Sequence, residues 1–136
     1  MTKAVDLSHY AKFVQAVTSE TSMDTEAFID RVREIEAQGI NPARLLTGSA
    51  GLSSEGGEFN EIVKKMFFHG ENIDADRLFH MKRELGDIIW YWITAVAAAG
   101  FDPNEILELN VEKLEKRYPG GKFSIHYSAN RQEGDI

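Results

Sequence analysis

Twelve consecutive residues without a charge, IIWYWITAVAAA at 88–99, constrain the fold of this chain more than any other stretch. A bilayer crossing takes about 20 apolar residues, so the run is too short to span one and reads instead as a helix buried in protein. It closes the segment MKRELGDIIWYWITAVAAAG, residues 81–100, which starts charged and turns apolar. At helical spacing Glu84, Asp87 and Tyr91 fall on one stripe. Leu85, Ile88, Ile89, Trp92 and Val96 fall on another, the expected core face. Carboxylates are costly to bury alone, so something has to compensate the two acids.

The helical period recurs along the chain. Tyr10, Phe13, Val14 and Val17 predict an amphipathic helix over 8–18 with Ser8 as a cap, and SETSM then breaks it. Asp24 or Thr25 caps a second helix that carries Phe28, Ile29, Val32 and Ile35 inward and stops at Gly39. A third starts at Asn41-Pro42 and continues through Leu45, Leu52, Phe59, Ile62, Val63 and Met66 to about 68. Its weak part is 47–57, where Gly48, Gly51, Gly56 and Gly57 each cost about 1 kcal/mol relative to alanine in a helix. Either that stretch is a loop, or the missing side chains make room for close packing or a ligand. Asp74 or Asp76 starts the fourth helix, which Gly100 ends. DPNE at 102–105 (Asp cap, Pro at the first position, Glu at the third) starts a fifth that reaches Tyr118 before PGGK stops it. Residues from about 120 to 136 have little periodicity and read as an irregular arm. No stretch alternates with period two, so the expected class is all-α, a bundle of about five helices.

A chain of 136 residues is most simply one domain. Its formal charge of −7 and pI near 5.1 argue against a surface that wraps nucleic acid, which needs a basic footprint. With no cysteine there is no disulfide framework, no thiolate nucleophile and no zinc-thiolate site. The start MTKAVDLSHY lacks the apolar region of a signal peptide, so the expected address is the cytoplasm, with no membrane partner.

The chemistry concentrates in acids. Glu55 and Glu58 share one face of the third helix, and Glu61 extends that edge. Glu84 and Asp87 repeat the device on the fourth. Two antiparallel helices would bring the pairs together, and four carboxylates around a small volume repel one another unless cations sit among them. Oxygen ligands without cysteine or histidine suit Mg²⁺ or Mn²⁺. The residues alone leave a solvated acidic surface equally open. A di-iron site is strongly disfavoured, because neither His69 nor His80 stands in a Glu-x-x-His relation. On the fifth helix Asn110, Lys113 and Arg117 share a stripe that either meets solvent or grips phosphate. Lys65 is a further phosphate contact or simply the i, i+4 partner of Glu61.

The pattern Glu55-x-x-Glu58, followed by Glu84-x-x-Asp87, resembles the metal-binding signature of the all-α MazG-like nucleoside triphosphate pyrophosphohydrolases. RLLTGSAGLSSEGGEFNEIVKKMFFHG, HMKRELGDIIWYW, NVEKLEKRYPGGKF and the closing NRQEGD extend the likeness, over about 44–135, to a single-domain branch found in bacteria and their phages. Ser124 stands where that pattern often has an acid.

The resemblance implies hydrolysis between the α and β phosphates of a nucleotide, with a lean to deoxynucleotides such as dGTP and dCTP. Glu55, Glu58, Glu84 and Asp87 would hold Mg²⁺, and Glu61 would support the metal shell or act as base. Asn110, Lys113 and Arg117 would orient the phosphates, with Tyr118 nearby. It also implies a homodimer or homotetramer in which neighbouring subunits complete the bundle, and the host cytoplasm if the gene is a phage's. Phosphoribosyl-ATP pyrophosphohydrolase shares the fold and metal logic and is the alternative reaction. A helical module that binds nucleotide without turning it over is the alternative class.

Overall fold

Side-chain caps start four helices, at Asp24, Asp74, Asp102 and Ser124, in the computed structural model, which describes residues 7–130. The first six residues of the start read for a signal peptide, and Arg131 to Asp135 of the closing motif, lie outside the described residues. Packing divides the chain into two units, residues 1–42 and 43–136.

The first unit contains α1 (Ser8–Val17), α2 (Glu20–Met23) and α3 (Thr25–Ala37). The SETSM stretch, expected to be a plain break, contains the one-turn α2. Ser19 sits extended before it, its hydroxyl bonded to those of Thr21 and Ser22. Asp24 caps α3 by accepting from the Ala27 N–H at 2.8 Å. Ile29, Val32 and Ile35 are half-buried, whereas Phe28, predicted to point inward, is exposed.

The second unit contains α4 (Pro42–Phe68), α5 (Ala75–Ala99), α6 (Pro103–Arg117) and the short α7 (Ile125–Ala129). α4 is helical through all four of its glycines, so 47–57 is not a loop. Asp74 accepts from the Arg77 N–H at 2.8 Å to start α5, and Gly100, at φ 72°, ends it. Asp102 accepts from the Asn104 N–H at 2.8 Å to start α6. Ser124 caps α7 through the Tyr127 N–H at 3.5 Å, which puts a helical turn inside the arm expected to be irregular. Among the described residues there is no strand, and the fold is all-α. None of the helices among those residues is long and apolar enough to cross a membrane.

Asp74→Ala removes the cap of the longest apolar helix and is expected to cost about 1 kcal/mol, the usual loss for an N-cap residue. A thermal melt should show it as a fall of several degrees, about 3–6 °C for a domain of this size.

Among the described residues only small or short side chains are buried, namely Pro42, Gly48, Gly51, Thr94, Val96 and Ala98. Ile88 and Trp92 are half-buried on the same side of α5 as Val96. Leu85 and Ile89, expected in that core stripe, are instead 48% and 59% exposed. The buried face of α5 is narrower than its apolar arc, because α4 and α6 cover only one side of it.

Candidate metal centre

Two glycines place α4 directly on α5. A Cβ added to Gly51 would lie 2.1 Å from Tyr91 Cδ1, and one added to Gly48 would lie 2.8 Å from the Ala95 Cβ. Alanine fits at neither position without movement. The helices run antiparallel from these contacts, so the facing pairs can be counted off. Four residues on from Gly51 is Glu55, and four back from Tyr91 is Asp87. Seven on is Glu58, and seven back is Glu84. The same count leads to Ile62 with His80 and Lys65 with Arg77, and these four residues line one cavity of about 260 Å³. The seam therefore holds one register from Gly48 to Lys65.

In the middle of it the acids converge. Carboxylate oxygens of Glu55, Glu58 and Glu84 lie within 4.8 Å of one another. Glu55 and Glu84 are half-buried, while Glu58 faces solvent. The Glu55 carboxyl is raised above its ordinary value, first because it loses hydration and then because of the Glu58 charge. A side-chain hydrogen bond with Glu84 and the charges of Glu84 and Asp87 raise it further. Two carboxyl groups hydrogen-bond only if one keeps its proton, so Glu55 is poised to hold either a proton or a cation. Asp87 is exposed and lies outside the three-acid group, near enough to act on Glu55 by its charge. Three oxygen donors with no nitrogen or sulfur among them are a set for a hard divalent cation.

Glu61, predicted to support this site, has other partners. It pairs with Lys64, and with Lys65 at 3.6 Å. The hydrogen bond from Lys64, followed by the charges of both lysines, holds its carboxyl below the usual range. In this arrangement the acidic edge stops at Glu58, and Lys65 is engaged by Glu61.

The residues predicted to bind phosphate lie on α6. Asn110 and Lys113 line a cavity of about 430 Å³ that α5 closes with Trp92. Arg117 is half-buried near the end of the helix. The Tyr118 ring lies 5.8 Å from that of Phe123, in a different, mostly apolar hollow of about 300 Å³ with Val111 and Leu114. Trp92, placed by its spacing on the expected core face, also lines the cavity beside Asn110 and Lys113. Gly51 was legible only as a place where a side chain is missing.

An all-α unit in which acids from two antiparallel helices meet at one point has the donor set of a helical, carboxylate-lined cation site. The model of the MazG nucleotide pyrophosphohydrolase domain matches residues 45–121, more than half of the chain and all of this seam, and the chain belongs to that family. No curated protein and no solved structure matches the chain.

Proposed function

We propose that this protein is a Mg²⁺-dependent nucleoside triphosphate pyrophosphohydrolase that releases the monophosphate and pyrophosphate, with deoxynucleotides such as dGTP and dCTP among its substrates. The observation that carries the reading is the convergence of Glu55, Glu58 and Glu84 within 4.8 Å across the α4–α5 seam of a MazG domain. These three carboxylates, with Asp87 alongside, would hold the cation; Mn²⁺ suits the same donors. Bound there, the ion neutralises triphosphate charge and lowers the pKa of the attacking water.

The side chains supply the rest. Lys113 and Arg117 offer charge-assisted donors to phosphate oxygens and Asn110 a neutral one, which fixes the phosphorus in line for attack. Trp92, on the wall shared with Asn110 and Lys113, offers an aromatic face. Such a face accepts any base, so base preference is left to its surroundings. The location proposed with this reading is the cytoplasm, where free nucleotides are abundant.

Incubation with the eight standard nucleotides and phosphoribosyl-ATP in Mg²⁺, followed by chromatography, tests this. Monophosphate and pyrophosphate from one or more nucleotides are expected. Turnover of phosphoribosyl-ATP alone would reassign the reaction, and Mg²⁺-dependent binding with no product would make the protein a nucleotide-binding module.

The active form is proposed to be a homodimer or homotetramer. Leu85, Ile89 and Ile93 form an outward row along α5, continued on α6 by the exposed Leu107, Val111 and Leu114. Exposed apolar area of this extent marks an association surface. Ile89→Asp should shift the protein to a smaller species in light scattering coupled to gel filtration, and an unchanged mass would move the interface elsewhere.

A further inference from the structure

The register of the α4–α5 seam has to be held by something other than the acids, because like charges push apart the two helices that carry them. No large side chain buried in a core holds it either: nothing larger than valine is buried among the described residues. What the seam does have is an aromatic ring lying over a bare stretch of backbone. The Tyr91 ring occupies the space that a Cβ on Gly51 would need, with its Cδ1, Cε1 and Cγ all 2.1–2.3 Å from that point. The Trp90 indole meets the ring edge-on, with centroids 4.7 Å apart and planes at 89°. One layer further along, Gly48 takes the Ala95 methyl in the same manner.

We propose that Gly51 and Tyr91 form the register lock of the cation site. Tyr91 is a positioning residue whose ring, seated on Gly51, sets Glu55 and Glu58 opposite Asp87 and Glu84. The lock lies one helical turn from the Glu55 layer, so a shift at the contact reaches the carboxylates almost undiminished. Sliding one helix by a residue moves its side chains by about 1.5 Å along the axis and turns them by about 100°. That is enough to take a carboxylate out of a three-oxygen cluster. The ring does this work by its shape, and the hydroxyl is not required. Gly56 and Gly57, on the same helix, have nothing within 4 Å of an added Cβ and take no part in the lock.

The proposal rests on the cation-site reading, and calorimetric titration with Mg²⁺ alone, on full-length protein checked for helicity by circular dichroism, separates the two. The parent and Gly57→Ala should bind Mg²⁺ equally, with Gly57→Ala melting higher because alanine favours helix. Gly51→Ala should bind at least tenfold more weakly. Tyr91→Ala should do the same by leaving the notch empty, and it serves as the test should Gly51→Ala not fold. Tyr91→Phe should bind as the parent does, and the Gly51→Ala/Tyr91→Ala pair should lose less than the two single losses combined, because each substitution relieves the other. If the parent binds and a folded Gly51→Ala or Tyr91→Ala binds equally well, the lock is overturned and the cation site stands. If the parent binds no Mg²⁺, both are overturned.

Discussion

Glu58→Ala and Asp87→Ala should each reduce pyrophosphate release by about 10³-fold or more, while the far-ultraviolet circular dichroism spectrum remains that of a helical protein. The factor corresponds to the several kcal/mol of charge stabilisation that a divalent cation supplies in phosphoryl transfer. The folded state should survive, because both residues are solvent-facing. Asp87→Ala is the more demanding of the two, since Asp87 lies outside the trio whose oxygens converge within 4.8 Å. Full activity in the Asp87→Ala/Glu58→Ala double variant would remove this seam as the reaction site. Glu61→Gln should have a much smaller effect, because Glu61 is occupied by Lys64 and Lys65.

The second large effect expected is on stability. A Mg²⁺ ion held by the folded acids and not by the unfolded chain should, at 100 times its dissociation constant, stabilise the protein by about 2.7 kcal/mol, a rise in Tm on the order of 10 °C. Without Mg²⁺, the raised Glu55 carboxyl gives a definite sign. A carboxyl whose folded pKa lies above its unfolded value stabilises most below the unfolded value. That contribution is lost as pH rises through the folded one. Glu61 acts oppositely, being lowered, and its contribution is lost as pH falls through its folded pKa. Comparing the parent with Glu55→Gln isolates the first effect. The parent should lose Tm relative to the variant as pH climbs from the ordinary carboxylate value of 4.5, and saturating Mg²⁺ should restore it in the parent alone. Parallel Mg²⁺-free curves for parent and variant would show that Glu55 does not feel its neighbours.

The helices were legible in the sequence because their ends are written in short-range chemistry. Asp24, Asp74 and Asp102 cap helices near where their side chains allow, and Gly100 stops α5 in a left-handed conformation. The acid pairs were legible because i, i+3 spacing leaves no choice of face. What each apolar face meets was not legible. Leu85 and Ile89 fit the core stripe by spacing as well as Ile88 and Trp92 do, but whether a neighbour covers a given arc depends on where α4 and α6 lie. The glycines of α4 were ambiguous for a related reason. Propensity alone penalises all four equally, yet Gly48 and Gly51 lie against α5 while Gly56 and Gly57 meet open space. Glu61 read both as a continuation of the acidic edge and as the i, i+4 partner of Lys65, and spacing alone does not decide between the two.

The order of layers along the α4–α5 seam separates two kinds of influence on its centre. On one side the contact is steric, Gly51 against Tyr91; on the other the seam residues are held by ion pairs to their own flanks, Lys65 to Glu61 within α4 and Arg77 to Glu71 of the preceding loop. Dissolved salt screens the second kind and leaves the first untouched, with a screening length of about 10 Å at 0.1 M and about 3 Å at 1 M. Raising ionic strength should therefore silence substitutions made at Lys65 or Arg77 and leave those at Gly51 as damaging as before.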